Sequence, residues 1–265
     1  MLYFVATPIG NLKDVSFRAI EVLKSVDEIV CEDTRHSLGF LNAYDIKKPL
    51  FSYHKFNERE SGEKIIEKLK DGKNIAVISD AGMPVISDPG NILAQMLIEE
   101  GLEFTVIPGA CAFVSALVLS GLDSARFCFL GFLPQKASER REFLDKYKNL
   151  DMTLIFYSAP HDVQKDIESI YEAFGDRRAV AVKEITKMFE KSQRFFLKDG
   201  LDGQPKGEYV LLVEGASQTN DNLLLSEKEH IELYIKNGMD KKEALKQVAK
   251  ERGVSKSSLY KYTID

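Results

Sequence analysis

The chain has no tryptophan and, in 265 residues, only three cysteines. Cys31, Cys111 and Cys128 stand far apart, each flanked by apolar residues and none in a CxxC or Cys/His spacing. They are expected to act as small buried hydrophobes, with no disulfide and no metal. A run of about 18 apolar residues, the length that crosses a bilayer, is missing. The chain enters the apolar run Leu2–Ala6 at once, with neither a basic leader region nor a small-residue cleavage site. A cytoplasmic protein with no membrane contact is therefore expected. Neither GxGxxG nor GxxxxGK[ST] occurs, which removes the usual support for a dinucleotide or nucleoside triphosphate and points to a ligand without a pyrophosphate. Internal repeats and low-complexity tracts are also absent.

What is present is ordinary for a soluble globular chain: 44% hydrophobic and 29% charged residues, with a formal net charge of −5. That sign speaks against attraction of the whole surface to a polyanion. The charge is uneven, however. Residues 240–261 hold seven Lys/Arg against three Asp/Glu, so any contact with nucleic acid would be local.

Apolar runs at Leu2–Ala6, Glu28–Cys31, Ile75–Ser79 and Thr105–Ile107 alternate with helical spacing, as at Val15, Ala19, Val22, Leu23 and Val26. Ser61 to Gly72 predicts a second helix, with Ser61 as its N-cap and Gly72 as its stop. Strands alternating with helices predict an open, largely parallel α/β sheet. A second set of strands, Phe127–Phe132, Thr153–Tyr157, Arg178–Val182, Arg194–Leu197 and Glu208–Glu214, has short late connections and predicts a mixed sheet. The fold class is α/β: two α/β domains, 1–120 and 121–225, followed by a small helical appendage, 226–265.

Ligands of open α/β sheets collect beyond the carboxyl ends of the strands. Three loops there have unusual compositions. In the first, Pro8, Ile9, Gly10 and Asn11 follow Thr7, Pro8 stiffening the exit and Gly10 allowing close approach. The second, Ser79 to Gly90, packs two Asp, two Gly, two Pro and two Ser into twelve residues. Its Ser79, Asp80, Gly82, Met83 and Pro84 form the candidate scaffold for a polar small molecule. The third, Pro108, Gly109, Ala110, Cys111 and Ala112, opens a helix with small residues.

These loops, with Glu32-Asp-Thr-Arg35, Ser52-Tyr-His54, Asn57-Glu58, Gly131-Phe-Leu-Pro134, Phe156-Tyr-Ser-Ala-Pro-His161 and Lys183-Glu-Ile-Thr-Lys187, resemble the ribosomal RNA small-subunit methyltransferase I family, part of the tetrapyrrole-methylase-like superfamily. The resemblance runs in order over residues 1 to about 215. It implies a homodimer of two-domain α/β chains that binds S-adenosylmethionine between its domains and methylates a cytidine 2′-oxygen in 16S rRNA of the small ribosomal subunit. By position it places Ile9, Asp80, Met83, Cys111 and Ala112 around the cofactor, with Tyr157 and the pair Val182 and Lys183 closing the site. Where family members often carry a small hydroxyl residue this chain has Met83, and where they have Ser it has Cys111.

A ribose hydroxyl is a poor nucleophile, so a group that takes or polarises its proton is expected. Glu32, Asp33, His54, Lys183 and Glu184 are the candidates, with no choice among them from sequence. Glu32 to Arg35 reads equally as a structural knot in which a carboxylate holds Arg35. Arg35 itself, and Lys136, Arg140 and Arg141 at a helix start, are candidate phosphate contacts. In the tail, Ala249, Gly253, Val254 and Leu259 fit helix-turn-helix spacing, with Val254 and Leu259 inward and Ser255 as cap, and Lys250, Arg252 and Lys256 as candidate RNA contacts. The same loops would suit a tetrapyrrole or precorrin methylase, or a non-catalytic RNA-binding assembly protein that keeps the pocket.

Overall fold

The structure is a computed structural model and describes residues 1–54, 57–216 and 225–262. Residues 217–224, at the end of the expected second domain, lie outside it. Five strands, β1 (Leu2–Val5), β2 (Glu28–Cys31), β3 (Leu50–Ser52), β4 (Ile75–Ile78) and β5 (Phe104–Ile107), form a wholly parallel sheet in the order β3-β2-β4-β1-β5. Apolar side chains on both faces explain why: the three central strands, β2, β4 and β1, are buried on both sides. Val5, Ile29, Ala76 and Ile78 meet α1 (Phe17–Ser25) and α2 (Thr34–Ala43) through Ala19, Leu23 and Leu41. Leu2, Phe4, Ile75 and Val77 meet α3 (Glu58–Lys70) and α4 (Asn91–Glu99) through Ile65, Leu69, Leu93 and Leu97.

β1 and β4 are neighbours, yet β1 feeds α1 on one face while β4 feeds α4 on the other. Their carboxyl ends are therefore a topological switch point, where diverging loops leave a crevice.

Helix α5 (Ala112–Ser120) leads to the second sheet. There β6 (Phe127–Phe132), β7 (Thr153–Ser158), β8 (Arg178–Lys183), β9 (Lys191–Phe196) and β10 (Tyr209–Val213) take the order β6-β7-β10-β8-β9. β6 and β7 are parallel and the remaining pairs antiparallel, which is the mixed sheet the short connections predict. Ala116 and Leu117 of α5 pack on Ile155, Val180, Val182 and Leu212, while α6 (Ala137–Tyr147) and α7 (Val163–Phe174) pack together. Both sheets fall in one compact unit, residues 1–148 and 152–214.

The second unit, residues 149–151 and 215–265, contains α8 (Glu227–Lys236), α9 (Lys241–Arg252) and α10 (Lys256–Leu259). Ser226 and Glu229 form a capping box on α8. Gly253 leaves α9 at φ 64° and Ser255 caps α10 through the Ser258 N–H. Ala249 and Leu259 are buried with Ile231, Leu245 and Val248.

Three sequence expectations need correction. Val254 is exposed rather than inward, because the left-handed turn at Gly253 swings it out. Ser61 lies inside α3, which begins three residues earlier behind Asn57. Ser61 and Gly62 are small because that face meets α4: a Cβ on Gly62 would sit 2.9 Å from Met96 Sδ. Strand β3 was not foreseen; three residues carry too little alternation to show.

Candidate active site

The first two loops are tied together by hydrogen bonds, and the third packs against them through Gly109 and Ala110. The Thr7 N–H donates to the Gly82 carbonyl at 2.8 Å, and the Thr7 hydroxyl to the Ser79 carbonyl at 3.2 Å. The Ser79 hydroxyl donates to the Gly82 carbonyl at 3.0 Å. Gly82 has φ +82° with Ile9 Cγ2 only 3.0 Å from where a Cβ would stand. Val85 and Ser87 hold φ of 76° and 66°, strained values for residues with side chains. The far end of the loop is pinned where Gly90 N–H and Tyr53 hydroxyl both donate to Glu58 Oε2, at 3.3 and 3.1 Å. Gly109 leaves just enough room for Ala6, whose Cβ lies 2.8 Å from a Cβ built there.

Above this scaffold lies a cavity of about 450 Å³. From the first sheet its wall takes Ile9, Glu32, Asp80, Gly82, Met83, Asp88, Cys111 and Ala112; from the second it takes Phe132, Tyr157, Glu184 and Lys187. A β-bulge at Gly131 brings Phe132 to the wall, its ring 5.5 Å from that of Tyr157.

The expected cofactor residues divide accordingly. Ile9, Asp80, Gly82, Met83, Cys111, Ala112 and Tyr157 share the large cavity. Pro8, Gly10 and Ser79, again with Asp80, line a smaller cavity at the switch point. Pro84, Pro108 and Gly109 line neither cavity and serve the loops. Val182 is fully buried in the core beside Tyr157, and Lys183 alternates to the other face of β8, where it lines a separate small hollow with Ala181 and Gln193. Lys183 is thus not a group of the large cavity, contrary to expectation, because period-2 alternation sends it away from Val182.

The candidate bases separate as well. The Asp33 carboxylate caps α2, accepting from Arg35 N–H at 2.8 Å and pairing with the Arg35 guanidinium at 3.1 Å; hydrogen bonds from Arg35 hold it below the usual carboxylate range. That is the structural knot. Glu32 faces the cavity, its pKa raised by burial and by Asp80 against the opposing pull of His54. The His54 N–H is held by Asn57 Oδ1 at 2.8 Å. For Glu184, burial works upward, but the Glu208 N–H and the Lys187 ammonium hold its carboxyl below its ordinary value. Asp88, not singled out from sequence, is pushed up to about 7 by burial and then by Glu32 and Asp80. Its signal was its place in the Ser79 to Gly90 loop; the burial was not legible there. Burial, with Cys111 and Asp88, also lifts Tyr157 to about 12.

Of the expected phosphate contacts, Arg35 has a side chain 89% exposed, Arg141 and Lys250 are exposed, and Lys136 is exposed but paired with Glu139 at 2.9 Å. Lys256 is half-buried, over the Tyr260 ring. Arg140 is a correction: it is 4% exposed, donates to the Pro134 carbonyl at 3.2 Å and faces Asp166 at 3.9 Å, so no phosphate reaches it. Arg252 is likewise engaged inside its own unit, Nε donating to His230 Nδ1 at 3.1 Å.

Among the described residues no helix is long and apolar enough to cross a membrane and no His/Cys/Asp/Glu group is arranged for a metal. The family described as Tetrapyrrole (Corrin/Porphyrin) Methylases matches residues 1–199. The Ribosomal RNA small subunit methyltransferase I of Halalkalibacterium halodurans is 43% identical over 98% of this chain and 93% of its own length. Its counterparts in Bacillus subtilis and Escherichia coli O157:H7 are 42% and 39% identical, over 98% and 100% of this chain and 92% and 94% of theirs. Among solved structures, diphthine synthase superposes with a TM-score of 0.62 at 15% identity, over 81% of this chain and 89% of its own. Uroporphyrin-III-C-methyltransferase from Thermus thermophilus gives 0.56 at 20% identity, over 80% and 93%. At such identities these two report the fold alone. The relatives and the matched family agree with the loop order and the cavity: this chain is a methyltransferase, and it belongs to the ribosomal RNA small subunit methyltransferase I family within the tetrapyrrole methylases.

Proposed function

We propose that the chain uses S-adenosylmethionine to methylate the 2′-oxygen of a cytidine in 16S rRNA of the small ribosomal subunit, in the cytoplasm. The observation that carries this is the 450 Å³ cavity, which lies in the size range of small-molecule sites and combines an apolar lining with a few polar groups. The residues fit the cofactor. Ile9, Met83, Ala112 and Tyr157 supply apolar surface for an adenosine, and the carboxylates of Glu32, Asp80 and Asp88 suit a ligand carrying cationic groups. When bound, the cofactor supplies a methyl group on a cationic sulfur, which needs no metal.

The chain's own residues have three tasks. The tied loops hold the donor pocket rigid, so that positioning supplies much of the rate. Phe132 and Tyr157 give one wall an aromatic surface. Glu32 and Asp88 are the cavity carboxyls disposed to receive the acceptor's proton, since Asp33 and Glu184 are committed to Arg35 and Lys187. The division into two α/β lobes near 120 and a helical appendage from 226 belongs to this reading. So does a homodimer, supported by the exposed apolar face of α5: Val118 is 78% and Val114 46% exposed, and the Phe113 ring reaches exposed Phe127 at 6.2 Å.

The test is incubation with labelled S-adenosylmethionine and small ribosomal subunits or free 16S rRNA, followed by nucleoside analysis. A labelled 2′-O-methylcytidine is expected. Label on a base, or on no RNA, overturns the reading.

A further inference from the structure

The smaller cavity, about 190 Å³, opens where β1 and β4 diverge. Thr7, Gly10, Ser79 and Asp80 form one side, and His36, Ser37 and Phe40 of α2 the other. Asp80 lines both cavities, so the two adjoin at this residue. Ser37 is only 3% exposed, and its hydroxyl meets no oxygen or nitrogen partner among the described residues, only the weakly bonding Cys31 thiol. A buried hydroxyl left in that state has a desolvation cost that a ligand would remove.

Resting on the proposed ribose methylation, we propose that this cavity receives the extruded pyrimidine base of the acceptor nucleotide, whose ribose then lies at the boundary with the donor cavity. A cavity of about 150 Å³ holds one benzene ring, so this one accommodates a single six-membered ring with its exocyclic groups. A flipped base is read along its Watson–Crick edge and against an aromatic wall, and Phe40 supplies such a wall. Cytosine offers an amino donor and two acceptors. A carboxylate such as Asp80 accepts from that amino group, while the Ser37 hydroxyl donates to a ring nitrogen or carbonyl. Uracil would set a carbonyl oxygen against the carboxylate, and that repulsion selects cytosine. Arg35, two residues before Ser37, has a highly exposed guanidinium, paired with Asp33, that is available to the nucleotide's phosphate.

Two measurements on the full chain separate this pocket from the reaction. Cytidine 5′-monophosphate, with uridine 5′-monophosphate as its mismatch, is titrated while the His36 imidazole resonances are followed. A shift with the cytidine nucleotide, several-fold weaker with uridine and lost in Ser37→Val, is expected. Equal or absent response to both nucleotides overturns the pocket. Ser37→Ala is then compared with the wild-type chain on rRNA carrying cytidine or uridine at the target. The preference for cytidine should narrow by about tenfold with S-adenosylmethionine affinity unchanged, and an unaltered preference overturns the proposal. Nucleotide binding without any RNA methylation would instead defeat the proposed function and leave the pocket standing.

Discussion

The carboxyl of Asp88 concentrates what the site demands of a single residue. Its value rises from 3.8 to about 7 because burial and the facing Glu32 and Asp80 disfavour the charge. A carboxyl raised in this way favours the folded state while protonated, and that contribution is lost as pH climbs between the two values. Asp88→Asn removes the titration. Its melting temperature relative to wild type should therefore rise from pH 4 to pH 8, while methyl transfer falls; a constant difference across the range would show that Asp88 is not held in this state. Gly82 makes a second demand. With φ +82° and Ile9 at 3.0 Å, Gly82→Ala should cost about 1–2 kcal/mol of stability and weaken donor binding, measured by denaturant unfolding and calorimetry. Composition alone marked the loop holding both residues as a site. It could not distinguish Arg140, buried against Pro134 and Asp166, from the exposed Arg141, because burial depends on where α6 packs.

Elements with strong periodicity were legible, and short ones only where a cap and a turn marked them. The five strands of the second sheet and the parallel alternation of the first follow from apolar runs, whereas β3 has three residues, too few for a period to register; α10 has only four and was legible through its Ser255 cap and the turn at Gly253, not through a period. Lys183 shows the same limit differently: it sits at the right strand end, but register decides its face, and Val182 takes the core side. In the helical unit the spacing of Ala249, Gly253 and Leu259 was enough to place the turn, while the polar core was invisible. His230 is fully buried, its Nε2 2.9 Å from Glu251 Oε2 and its ring stacked at 5.4 Å on Tyr234. Burial, outweighing Glu251, lowers its pKa from 6.5. A histidine kept neutral by folding contributes stability above that ordinary value, and loses it as pH falls toward the lowered one. Hydrogen exchange on the full chain should show protection in residues 226–262 declining below pH 6.5 before the sheets respond. Replacement by Gln should flatten that decline.

For the whole molecule the charge and the cavity make separable claims. The net charge is −5, yet residues 240–261 are basic, so the proposed contact with RNA would be local rather than spread over the whole surface. Every residue lining the large cavity lies between Ile9 and Val210, inside the unit that ends at Glu214. Removing residues 226–265 should therefore leave S-adenosylmethionine affinity intact by calorimetry. If Lys250, Lys256 and their neighbours neutralise phosphates, each contact releases about one counterion, and the logarithm of kcat/KM for rRNA falls with the logarithm of salt in proportion to their number. The truncated chain should then show both a lower kcat/KM at low salt and a shallower slope, with the two curves converging as salt is raised. A truncated chain with the same slope and the same activity would confine RNA recognition to the sheets and to Arg35, Lys136 and Arg141. Loss of donor affinity together with activity would show instead that the helical unit supports the fold of the cavity.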